Sequence, residues 1–166
     1  MAGAGFEIVP EDPRVFDTLA ILASALEDMT PAMNAIGAAV QTHVDLSFRN
    51  EEDPYGQPWE PLSVVTLDRR RGDSAQILRD TGVLANSITY AADKGSVEIG
   101  TNIDYATTHQ FGAVQGEFGS TANGAPIPWG DIPERPFIPL EGLPSDLEDE
   151  ILDITTRFID RALNRA

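Results

Sequence analysis

His43 and His109 are the only side chains here that could carry a proton near neutral pH, because the chain has no cysteine. His109 is the stronger candidate. Asp104 stands five residues before it and hydroxyl side chains abound, the raw material of a hydrolase in which a carboxylate orients a histidine base. The spacing works against that arrangement. Five positions along a helix rotate a side chain by about 500°, so Asp104 and His109 do not share a face. No G-x-S-x-G elbow offers a nucleophile. There is no Walker loop, no glycine-rich dinucleotide fingerprint after a strand and no H-E-x-x-H. Without cysteine, disulfides and thiolate metal sites are excluded. His43 falls within a helical stretch and reads as a boundary residue. The expectation is no catalytic residue, no cofactor and no metal, with His109 packed or at an interface. A hydrolase using His109 with Asp104 is the competing reading.

Charge points elsewhere. Aspartate and glutamate number 27 against 11 lysines and arginines, for a net charge of −16. Phosphate affinity comes from basic neutralisation, so the general surface excludes non-specific nucleic-acid binding. Lys94 is the lone lysine, and Arg69, Arg70, Arg71 and Arg79 form the one basic cluster. That cluster is either a solvated face offsetting nearby acids or a contact to an acidic neighbouring subunit or to DNA phosphate. The acidity elsewhere favours the protein contact. The longest apolar run, Leu19 to Leu26, is broken by Ser24 and too short to cross a membrane. No secretory-type leader opens the chain, so a soluble product is expected. With 166 residues, one domain over 1–166 with a core of its own is expected.

These residues must be positioned by a small set of elements. Phe6 to Val9 alternates weakly as a short strand. Asp12-Pro13 and Thr30-Pro31 are helix starts, since an oxygen can cap free N–H groups and proline fits the first turn. Val15, Phe16, Leu19, Leu22, Ala23 and Leu26 recur at helical spacing. Met33, Ile36, Val40 and Val44 continue a second stripe to about Phe48. Proline and charge then dominate to Ser63, where Trp59 reads as a lid over a core edge or an anchor for a partner. A helix capped near Thr66 is interrupted at Gly72-Asp73. Ser87 to Ala91 and Val97 to Thr101 alternate, and Asp93-Lys94-Gly95, with glycine free to take positive φ, folds them into a hairpin. Asn102 is placed to cap a short helix over Asp104 to Phe111 that Gly112 ends, turning Ile103 and Tyr105 toward the sheet.

Residues 113–130 are rich in small and polar types and read as a long flexible loop. Phe137-Ile138, among Pro133, Pro136 and Pro139, reads as a short or edge strand. Ser145 with Glu148 spells a capping box for a last helix. Asp146, Asp149 and Glu150 lie at its positive end, and Arg157, Arg161 and Arg165 at its negative end. The fold class is α+β: a mainly antiparallel sheet built on the central hairpin, packed by long α-helices on one face.

Three segments carry a resemblance. The central one is Ile77 to Leu84, Ser87-Ile88, Gly100, Tyr105-Ala106 and His109-Gln110-Phe111-Gly112. Pro54 to Ser63, with Gln57-Pro58-Trp59-Glu60-Pro61, precedes it, and Pro133-Glu134-Arg135-Pro136-Phe137 follows. In order and spacing they resemble the virion-morphogenesis, or tail-completion, family of tailed bacteriophages, best known from the Mu-like phages. The likeness covers most of the chain and gives no guide to the length of 113–130.

The resemblance implies a structural part of a virion. The expected role is tail completion or head–tail joining in the neck, as a closed homo-oligomeric ring, a hexamer, between the tail tube and the head–tail connector. DNA would pass through it without specific binding. A transient assembly factor, absent from the mature particle, is the alternative. Trp59, Arg69, Arg70, Arg71, Tyr105, His109, Gln110, Phe111, Arg135 and Phe137 are the candidate structural or subunit-interface residues. Arg135 requires a carboxylate or carbonyl partner, and Phe137 is expected to anchor the core.

Overall fold

The computed structural model describes residues 12–70 and 75–164. The expected strand at Phe6–Val9, together with Arg71 and Arg165, lies outside the described residues. The fold is α+β. Helix α1 (Pro13–Glu27) begins where Asp12 accepts a hydrogen bond from the Arg14 backbone N–H, with proline in the first turn. After a break at Asp28-Met29, helix α2 (Thr30–Asn50) starts as the Asp28 carboxylate accepts from Thr30 N–H. Met29 N–H donates to Lys94 O and ties this break to the hairpin turn. The two helices take different partners: α1 packs on α5, whereas α2 packs on α5 and on both strands.

Helix α2 is the axis of the molecule. Ile36, Val40, Val44 and Phe48 recur every four residues and are all buried. The helix ends at Glu51, a non-glycine residue in the left-handed region (φ 60°), whose N–H returns to Ser47 O. Glu51 then holds two distant segments. Its carbonyl accepts from Trp59 N–H, and its carboxylate accepts from Ile77 N–H. A short helix α3 (Val64–Asp68) follows. Its cap is Ser63, whose hydroxyl accepts from Thr66 N–H, so the start lies three residues before the expected Thr66.

Strands β1 (Thr89–Ala92) and β2 (Val97–Gly100) pair antiparallel, Thr89 with Gly100 and Ala92 with Val97. This hairpin is the whole sheet among the described residues. Its turn does not use a left-handed glycine: Gly95 is absent from the positive-φ residues. The Asp93 carboxylate closes the turn instead, accepting from Gly95 N–H and Ser96 N–H. Tyr90 lies so close over α2 that a Cβ on Gly37 would sit 2.3 Å from its ring. Glycine is therefore what lets sheet and helix approach.

Helix α4 (Ala106–Phe111) starts two residues later than expected and Asn102 does not cap it; Tyr105 holds the cap position without a side-chain bond. The Thr101 hydroxyl accepts from Ile103 N–H. Gly112 (φ 74°) ends the helix against the next segment, where a Cβ would meet Ile132 O at 2.8 Å. Ile103 does face the core, but Tyr105 is 47% exposed.

Helix α5 (Ser145–Leu163) has its acids first and Arg161 in its last turn, and Arg157 pairs with Asp153 one turn back. The capping box does not form. Pro144 occupies the cap position, Ser145 becomes the first helical residue, and Glu148 N–H donates to Pro144 O. The core consists of two adjoining clusters. Phe48, Trp59, Leu84, Ile88 and Phe137 belong to one, and Ile36, Ala39, Val40 and Leu147 to the other. Ile99 of β2 packs against both.

Candidate functional site

The three resembling segments meet at the C-terminal end of α2. Phe137 is 1% exposed, and its ring lies 5.1 Å from that of Phe48. Trp59 also packs edge-on against Phe48 at 5.7 Å, and its indole N–H donates to Pro136 O at 2.8 Å. A buried indole needs such a partner, so Trp59 is a core wall here rather than an exposed anchor.

Arg135 is buried and cationic. Its Nε donates to Glu60 O at 2.9 Å and its Nη2 to Pro61 O at 3.2 Å, so two carbonyls receive the guanidinium. Desolvation pushes its pKa down, and the Glu60 charge offsets part of that. Its own N–H donates to His109 O at 2.7 Å.

Gln110 binds backbone as a strand would. Its Nε2 donates to Ile138 O at 2.9 Å, and its Oε1 accepts from Phe137 N–H and Ile138 N–H at 3.1 and 3.2 Å. This is why Phe137-Ile138, expected as an edge strand, is not one. A side-chain amide already satisfies its backbone.

Beside this hub lies a cleft of about 450 Å³ between α3, α4 and the chain around Ile132, with Tyr105, His109 and Arg70 in its lining. His109 stacks edge-on against Tyr105 at 5.9 Å, and its Nδ1 is buried with no hydrogen-bond partner among the described residues. Asp104 is exposed and gives it no hydrogen bond, so the His–Asp pair of a hydrolase is not assembled. The histidine pKa is pushed below its ordinary value by burial and then by the Arg135 charge. His43 serves the scaffold: its Nε2 lies 3.0 Å from Pro54 O and its Nδ1 3.8 Å from Asp146.

A pH dependence follows for His109. The folded protein holds the ring neutral while the unfolded chain titrates near 6.5. The unfolded state therefore takes up the proton first as pH falls. Stability is fully present above 6.5 and is lost as pH drops from there toward the depressed folded value. Urea midpoints measured from pH 7.5 to 5 should decline across that interval, and His109→Gln should flatten the decline. An unchanged slope in the variant would place the titrating group elsewhere.

Residues 113–130 form an arm that hydrogen-bonds to itself. Phe118 N–H donates to Ile127 O, Ile127 N–H to Gly119 O and Thr121 N–H to Ala125 O, while Ala113 and Ile132 exchange a pair of bonds at the base. The arm leaves Val114, Phe118 and Trp129 more than half exposed, at 64%, 55% and 63%. The Arg69 guanidinium sits 4.7 Å over the Trp129 ring, pinning the arm to α3. Arg70 lines the cleft, Arg79 is half-buried, and Phe111 is 62% exposed. The structure thus brings Trp59, His109, Gln110, Arg135 and Phe137 together and leaves Tyr105, Phe111 and Arg69 on the surface around them. Sequence reasoning missed Trp129. The signal available was a large aromatic residue standing among small ones.

The phage virion morphogenesis family matches residues 11–160 of the chain. The Mu-like prophage FluMu G protein 2 of Haemophilus influenzae is 31% identical over 146 residues, covering 87% of this chain and 89% of that protein. No solved structure matches. The matched span includes all three segments that meet around Phe48, and this chain belongs to the phage virion morphogenesis family.

Proposed function

We propose that the chain is a structural protein of the phage neck or tail, a tail-completion or head–tail joining protein. In this reading, copies close into a hexameric ring between the tail tube and the head–tail connector, and DNA passes through without specific binding. One observation carries it: a highly acidic chain leaves large apolar side chains exposed on α1 and on the arm. Such patches mark contacts between proteins. The cleft gives no support to an enzymatic reading, since its histidine lacks a carboxylate partner among the described residues.

The test is the mass of the purified protein by native mass spectrometry, with imaging of mature particles. A closed ring in both supports the reading. A protein missing from mature particles would make it a transient assembly factor, and a monomer inside the particle would remove the ring. Measured turnover that vanishes in a folded His109→Ala variant would restore the hydrolase.

Two expected outcomes belong to this reading. Residues 113–130, whose backbone bonds close within the arm and at its base, should exchange amide hydrogens faster than α2 in the free subunit and slow on assembly; protection equal to that of α2 in a confirmed monomer counts against it. The channel face should be net negative, because an acidic lumen repels phosphate and lets the duplex slide. Subunits carrying −16 repel one another, so assembly should improve with moderate salt. Ring yield that falls steadily from the lowest salt upward would contradict this.

A further inference from the structure

Two apolar surfaces lie at opposite ends of α2. Helix α5 begins beside His43 and packs Ile151 and Ile154 near Met33 and Ile36. It therefore runs antiparallel to α2, and its last turns carry past the start of α2 to where α1 lies against it. On α1, Ile21 and Ala25 are half-buried, and no residue of the helix is buried. Val15, Phe16, Leu19 and Leu26 are 41–54% exposed and share one face, within about 100° of one another at helical spacing. The other surface is a groove of about 640 Å³ between α3 and the base of the arm. Val65 and Trp129, 59% and 63% exposed, stand on its two walls. It adjoins the hub on Phe48, at the far end of α2. Twenty-one residues of helix put the two surfaces about 30 Å apart.

Charge allows the pairing. On α1 and its flanks Asp12, Asp17, Glu27 and Asp28 outnumber Arg14, with Lys94 beside Asp28. The groove holds Arg69 and Arg70 with Asp80 and Asp131, so it is close to neutral in a chain of net −16. An acidic amphipathic helix meets less repulsion there than over the general surface. Different surfaces at opposite ends, joined once per neighbour, make a head-to-tail contact, the kind that generates rings; a twofold pair would have to make both contacts at once and would show as a dimer by mass.

We infer that α1 of one copy docks in the α3–arm groove of the next copy, with Phe16 and Leu19 against Val65 and Trp129. This is a helix-in-groove contact, and it rests on the ring reading above. The absence of cysteine makes the test direct. Leu19→Cys protein is mixed with Val65→Cys protein and oxidised, both as purified full-length chains and in particles assembled from the two variants co-expressed. The mixed disulfide should exceed by about tenfold that of a control pairing Leu19→Cys with Glu98→Cys on the hairpin, because docking raises the effective concentration of one thiol at the other. Phe16→Glu should shift the assembly to monomer while the circular dichroism spectrum of the folded subunit stays unchanged.

A mixed yield no greater than the control overturns the interface. So does efficient Leu19→Cys self-coupling, which would mean α1 meets α1. Mass measured alongside separates the two failures: a closed ring without the mixed disulfide keeps the ring and discards this contact, while a monomer in both settings discards both.

Discussion

Phe137→Ala should lower the unfolding free energy by about 3–5 kcal/mol, the usual cost of emptying a buried aromatic site. The ring is 1% exposed and packs against Phe48, which Trp59 holds in turn, so little can collapse into the void. Against a typical total of about 5–15 kcal/mol, that loss takes a large share of the stability. Urea titration followed by circular dichroism reads it as a lower midpoint at unchanged slope. Phe111→Ala is the control. At 62% exposed it should change stability by no more than about 0.5 kcal/mol. Equal effects of the two variants would show that Phe137 is not the anchor described.

Gln110→Leu should cost about 2–4 kcal/mol, although leucine is apolar and similar in size. The loss comes from the backbone it abandons: Phe137 N–H, Ile138 N–H and Ile138 O all lose their partner. Buried polar groups left unpaired cost about 1–3 kcal/mol each, and partial access of water to Ile138 moderates the sum. Gln110→Glu should fall between, since a carboxylate keeps both acceptor contacts and loses the donor to Ile138 O. If leucine proves as stable as glutamine, the amide is not what holds this segment, and the absence of a strand at Phe137-Ile138 needs another cause.

These residues also show how far the chain could be read without coordinates. The start of α1 was legible because Asp12-Pro13 acts locally, through a cap and a fixed φ. At α2 the proline marked the start, but Thr30 is the first helical residue rather than the cap, and Met29 holds the cap position without a side-chain bond. The hairpin was legible because period-two alternation and a turn lie within a dozen residues. What failed depended on competition or distance. Ser145 looks like a cap, yet the proline before it takes that position. Asn102 looks like a cap, yet the helix begins only at Ala106, with Tyr105 at the cap position. Phe137-Ile138 looks like a strand, yet its partner is a side chain 27 and 28 residues away, which no window can find. The candidate site followed the same division. The resemblance supplied the three segments, but not that they converge on Phe48, nor that Arg69 stacks on Trp129. The arm reads as a loop from its small residues, while its order of bonds depends on backbone pairing that composition does not encode.

The hub has one further property. Arg135, Gln110 and Trp59 each hold a neighbour by its main chain: the carbonyls of Glu60 and Pro61, both groups of Ile138, and the carbonyl of Pro136. A carbonyl is the same whatever side chain its residue bears. Tolerance of substitution should therefore be lopsided. In a saturation library scored for particle yield, positions 110, 135 and 59 should accept almost nothing, whereas the exposed position 60, whose carbonyl holds Arg135, should accept most residues, with an acid favoured for its charge beside Arg135. Such a joint lets a lineage rewrite half of each contact without ever breaking it, so the outer surface of this protein is free to change with whatever it must fit.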